Sequence, residues 1–206
     1  MNRSLAQVLS VVFHPLLLPT YLFAFILYYM PASMLTLPLE SRWVVMGIVV
    51  LSTFLVPGLG AYAMVRLGQL DSLEMDKREQ RRLPLLFTGI CYATTAYLLY
   101  NTDALDAIFF FIMGLITASV FLTYFVSMFW KVSAHSVGMG GALGLLLVLN
   151  RLMPDGSITM AIIVVVILSG AVLSARLALN AHTPAQVYAG YGAGFLLTVV
   201  TAYIAY

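Results

Sequence analysis

The sequence predicts an all-α fold, a polytopic transmembrane helical bundle of about seven spans. Three observations predict it. Hydrophobic residues make up 62% of the 206 positions and charged ones only 9%, against about 45–50% and about 25% in soluble domains. The mean hydropathy is +1.00, too high for a chain that must cover its own surface with polar groups. The apolar residues also fall in long runs, most of them near the roughly 20 residues a spanning helix needs, with short polar breaks between. Open strand edges leave backbone groups unsatisfied in lipid, and these runs are too long and continuous for barrel strands.

The breaks define the elements in order. A first span runs from about Leu5 to Met30; it exceeds the apolar core of a signal peptide and reads as a retained span. The second runs from Trp43 to Leu67, and the charged segment Asp71 to Arg82 follows it. Leu83 to Tyr100 is the third, closed by the polar tip Asn101-Thr102-Asp103. Leu105 to Trp130 is the fourth, Val137 to Leu152 the fifth, and Pro154-Asp155-Gly156 is a turn by composition. The sixth runs from Ile158 to about Leu173 and the last from Val187 to Tyr206. No length remains for a soluble domain, so residues 1–206 read as one membrane domain, with two N-terminal spans in 1–67.

The net charge of +2, ten bases against eight acids, is too weak and scattered for nucleic-acid binding. Cys91 is the only cysteine, which excludes an intrachain disulfide and a thiolate metal cage. Seven spans put Arg3, Arg66, Lys77, Arg78, Arg81, Arg82, Lys131 and Arg176 on one face, and Arg42 and Arg151 on the other. Setting aside three that could hold an anion, Lys77, Arg82 and Arg176, leaves five against two. The positive-inside rule then predicts a multi-pass protein of the cytoplasmic (inner) membrane with the richer face in the cytoplasm.

That face gathers three polar stretches: Asp76 to Pro84, Ser133-Ala134-His135, and Arg176 through His182-Thr183-Pro184-Ala185-Gln186. Two histidines can divide nucleophile and proton-donor roles in a displacement. Arginine forks match phosphate oxygens, and helix starts favour anions. With no carboxylate cluster for Mg²⁺ and no Gly-Lys-Ser/Thr loop, the pattern reads as phosphoryl transfer without metal or other cofactor.

These residues resemble the type 2 phosphatidic acid phosphatase (PAP2) superfamily, whose ordered motifs are Lys-x6-Arg-Pro, Pro-Ser-Gly-His and Ser-Arg-x5-His-x3-Asp. Arg176, five residues, His182, three residues and Gln186 match the third. Val132-Ser133-Ala134-His135 keeps the serine and histidine of the second, and Lys77, Arg82 and Pro84 follow the first loosely. The resemblance covers roughly 77–200 and implies a PAP2-like core. It implies that His182 attacks phosphorus and forms a phosphohistidine, and that His135 protonates the leaving oxygen. Arg176, Arg82, Lys77 and Ser133 would hold phosphate oxygens. The substrate would be a phosphomonoester or diphosphate of a lipid, which makes the protein a phosphoric ester or diphosphate hydrolase.

Position 186 departs from the pattern: Gln186 can accept the imidazole N–H that the family's aspartate accepts, but brings no charge. A neutral amide in the comparable place of a serine-protease triad slows the reaction about 10⁴-fold. The alternative is therefore a non-catalytic PAP2-like protein that binds or transports a lipid phosphate. Thr183-Pro184-Ala185-Gln186 also spells a helix capping box, and Ser133 suits an N-cap. His14 matches no motif, yet a polar residue inside an apolar run is a functional candidate. Gly138, Gly140, Gly141 and Gly144, with Gly190, Gly192 and Gly194, include two GxxxG spacings and read as close helix packing that brings His135 near His182, and they allow a homo-oligomer as well. Asp103 and Asp106 read as solvated.

Overall fold

A computed structural model of the chain describes residues 1–30, 35–75, 77–102, 105–153 and 156–205. Asp76, Asp103, and Pro154 and Asp155 of the expected turn lie outside the described residues. Among the described residues there are eight helices and no strand: α1 Arg3–Val12, α2 Leu18–Tyr28, α3 Leu39–Arg66, α4 Arg78–Tyr100, α5 Ala107–Ser127, α6 Ala134–Leu152, α7 Thr159–Ala178 and α8 Pro184–Ala205. Five of them, α3, α4, α5, α7 and α8, are long and apolar enough to cross a membrane. Large apolar side chains such as Trp43, Leu59, Ile167 and Ile204 face outward, an arrangement suited to lipid.

Two expected spans come out differently. The run Leu5 to Met30 is two short helices rather than one, because Pro15 disfavours helical backbone at the residue before it. Hydropathy is continuous across this break; helix geometry is not. The expected fifth span lies within α6, which has the length but carries His135, Ser136, Asn150 and Arg151, and is not among the five.

The chain forms two compact units, Met1–Pro15 with Phe129–Tyr206 (the first unit) and Leu16–Met128 (the second). The division does not fall at the charged segment: α1 belongs with the last three helices, packing on α7.

In the first unit α6 lies centrally, with ten residues buried, and packs most extensively on α8. Glycine makes this possible. A Cβ on Gly140 would stand 2.0 Å from the Tyr191 carbonyl oxygen, and one on Gly194 2.0 Å from that of Val137. Gly144 and Gly190 meet the Phe195 and Ser133 carbonyls at 3.1 Å. Each glycine pair has three residues between its members, so both sit on one helix face and two backbones come into contact.

In the second unit, packing relies on large side chains. Phe23 of α2 stacks on Phe109 of α5, centroids 6.1 Å apart, both fully buried. Gly89 of α4 faces the Phe121 ring of α5. Polar groups here complete backbone hydrogen bonding. Pro57 has no N–H for the Thr53 carbonyl; α3 widens to a π-turn over Leu51–Leu55, and the buried Tyr92 hydroxyl donates to that carbonyl at 3.0 Å. Arg42 is buried and donates to the carbonyls of Leu27 and Leu37. Asp106, expected to be solvated, accepts from the Thr36 backbone N–H at 3.0 Å and the Thr36 hydroxyl at 2.7 Å. It thereby ties the start of α5 to the segment before α3.

Candidate functional site

The candidate site is a histidine–arginine cluster in the first unit, built from the ends of four helices. The sequence first ends α7. Asn180 adopts positive φ (53°), its N–H donates to the Leu177 carbonyl, and that of Ala181 donates to the Arg176 carbonyl. This closure reverses the chain within the residues separating Arg176 from His182. Thr183 then caps α8: its hydroxyl accepts from the Gln186 N–H at 3.4 Å, and the Gln186 side-chain oxygen accepts from the Thr183 N–H at 3.1 Å. Pro184 opens the helix where a missing N–H costs nothing.

His182 is buried. Its Nδ1 lies 3.2 Å from the Lys131 carbonyl oxygen and 3.3 Å from the Gln186 side-chain oxygen. Both are acceptors, so Nδ1 carries the proton and the Nε2 of a neutral ring keeps its lone pair. Gln186 thus serves the capping box and the imidazole at once, with one oxygen. Each of the two uses read in the sequence has its bond.

His135 sits in the first turn of α6 and is also buried. Its Nε2 lies 2.9 Å from the Ser10 carbonyl oxygen, which can only accept, so Nε2 is the protonated nitrogen. That carbonyl is available because α1 ends early. The His14 N–H turns to the Val11 carbonyl instead of completing the helix to Ser10. The His14 ring, exposed, stands edge-to-face to His135 with centroids 5.6 Å apart. Arg176 lies within electrostatic reach of both His14 and His135, and His182 within reach of His135.

Ser133 is fully buried and caps α6, its hydroxyl accepting from the Ser136 N–H at 3.3 Å. Its own N–H donates to the Gln186 carbonyl at 3.4 Å. The hydroxyl only accepts in this cap and its O–H is not used by that bond, whereas the Ser133 N–H is engaged within the protein by its bond to Gln186. The bond also joins the two histidine-bearing helix starts, where Gly190 lets α8 pass close to Ser133.

Lys77 and Arg82 belong to the second unit. The Lys77 ammonium donates to Asp71 at 2.8 Å, both side chains exposed. This bond holds the Asp71 carboxyl below its ordinary range and raises the Lys77 ammonium. Arg82 is exposed in the first turns of α4.

Within the first unit, then, the structure brings together Ser133, His135, Arg176, His182 and Gln186 from the residues read in the sequence. It adds His14 and two backbone carbonyls, Ser10 and Lys131. The unit's sequence contains four bases, Arg3, Lys131, Arg151 and Arg176, and a single acid, Asp155. Comparison of the chain with protein-family models, curated proteins and solved structures finds no match.

Proposed function

We propose that this membrane protein is a metal-independent lipid phosphatase of the PAP2 type, hydrolysing a phosphomonoester or diphosphate of a lipid through a phosphohistidine at His182. One observation carries the reading. Two oxygen acceptors lie at hydrogen-bond distance from His182 Nδ1, which favours the tautomer whose Nε2 can attack phosphorus. Gln186 does by hydrogen bond what a carboxylate does by hydrogen bond and charge. Arg176 binds phosphate oxygens, and the His135–His14 pair supplies the proton to the leaving oxygen. The lipid's alcohol stays at the membrane, and phosphate leaves on the face that the basic residues assign to the cytoplasm.

The test is phosphate release by detergent-purified protein from phosphatidic acid, phosphatidylglycerol phosphate and a polyprenyl diphosphate, beside His182→Ala. Release should fall to background in the variant; an unchanged rate rejects the mechanism. The uncharged Gln186 favours a second reading, lipid-phosphate binding or transport without turnover. That reading predicts binding lost in Arg176→Ala, no release by the unsubstituted protein, and activity gained in Gln186→Asp.

A further inference from the structure

We infer that His14 is the proton donor of this site and that His135 is the residue that positions it. The inference rests on the phosphatase reading above and divides between two rings a role the sequence motif gives to one. The buried His135 has its Nε2–H directed to the Ser10 carbonyl, so in the neutral ring the only N–H is committed to backbone. A leaving oxygen needs a donor it can reach. The exposed ring beside His135 is His14, edge-to-face at 5.6 Å.

One local event accounts for the whole arrangement. Pro15 ends α1 after Val12 and carries His14 out of the helix. The His14 N–H then bonds Val11, which releases the Ser10 carbonyl to fix His135, and His135 in turn backs the His14 ring. Arg176, on α7, is within electrostatic reach of both rings, and its charge disfavours an imidazolium at either until an anionic phosphate lies beside them. A histidine in an otherwise apolar stretch thereby acquires a use.

In the first step the His182 Nε2 lone pair forms the N–P bond. The P–O bond to the lipid breaks, and its oxygen takes the proton of a His14 imidazolium, giving the lipid alcohol. In the second step a water oxygen attacks phosphorus and yields its proton to the now neutral His14. The N–P bond breaks, its electron pair returns to Nε2, and phosphate departs.

The experiment compares two leaving groups, the alkoxide of phosphatidic acid and the nitrophenolate of p-nitrophenyl phosphate, which leaves without a proton. With His14→Gln, release of the leaving group in the first turnover should fall on the order of 10²- to 10³-fold for phosphatidic acid and less than about 10-fold for the nitrophenolate burst. The second step, common to both substrates, slows alike. A glutamine at 135 can still donate to the Ser10 carbonyl, so His135→Gln should recover most of what His135→Ala loses, with no preference between substrates. His14→Asn, with its melting temperature, serves as the folding control. The assignment is overturned if normally melting His14 variants lose first-turnover release from both substrates alike or from neither, or if the leaving-group selectivity appears in His135→Gln instead. Either result, with His182→Ala still inactive, leaves the phosphatase standing. No turnover by the unsubstituted protein removes both.

Discussion

The two units use polar residues in opposite ways. The second carries six bases and seven acids, nearly balanced. Two of its buried polar groups end on the protein's own backbone: Arg42 on two carbonyls, Tyr92 on the carbonyl that Pro57 leaves over. The first unit has four bases to one acid, and its buried polar side chains include two imidazoles. An imidazole can commit one nitrogen to a carbonyl and keep acid–base capacity at the other. A guanidinium or phenol held by backbone acceptors is structural; a ring held by one nitrogen is oriented. The comparison separates Arg42 from His182, although each is a polar residue that is expensive to bury.

Packing differs in the same sense, and the largest expected effect comes from breaking it. Gly140→Ala would drive a methyl into the Tyr191 backbone, and neither helix has a side chain to move aside. We expect a loss at or above the roughly 1–3 kcal/mol usual for overpacking, read as a lower melting temperature in detergent, with phosphate release lost as His135 and His182 separate. Gly89→Ala in the second unit meets only the edge of the Phe121 ring, which can swing, so its melting temperature should stay near the parent's. Equal losses in the two variants would remove the distinction between a backbone seam and a side-chain interface.

A smaller effect sharpens the contrast in chemistry. Tyr92→Phe leaves the Thr53 carbonyl buried without its donor, at a cost of about 1–3 kcal/mol. Because the bond is structural and lies in the second unit, thermal unfolding should come earlier while the turnover of folded protein is unchanged. A large fall in turnover at constant fold would assign catalytic weight to the wrong unit.

The smallest effect belongs to Lys77. Its pair with Asp71 lies fully in solvent, where screening leaves little. The depressed Asp71 carboxyl stabilises above its unfolded titration range and loses that contribution as pH falls through its folded value; the raised Lys77 ammonium loses its share as pH rises past its own. Lys77→Met should therefore leave the melting temperature the same across neutral pH. A marked fall in phosphate release would place Lys77 in the phosphate site.

Composition and hydropathy made the all-helical membrane class legible, and five helices follow the runs closely. Pro15 was visible too, but an apolar run hides a break that only backbone sterics reveal. In the site, spacing exposed Arg176, His135, His182 and Gln186 because side-chain motifs leave letters in the sequence. The Ser10 and Lys131 carbonyls leave none: any residue has a carbonyl, and only the end of α1 and the approach of α6 to α8 select these two. His14 was legible as an isolated polar residue, not as a partner of His135, because it precedes His135 by more than a hundred positions. The bonds of Asp106 were not legible, since its partner, Thr36, is 70 residues away.

The measurement that bears most directly on the account is a search for the covalent intermediate. Protein quenched during turnover of a lipid phosphate labelled in its phosphoryl group should retain label that is stable to base and labile to acid, as a phosphoramidate is. Peptide mapping should place it on His182, and His182→Ala should carry none. Turnover with no trapped label, or label on another residue, would contradict His182 as the nucleophile.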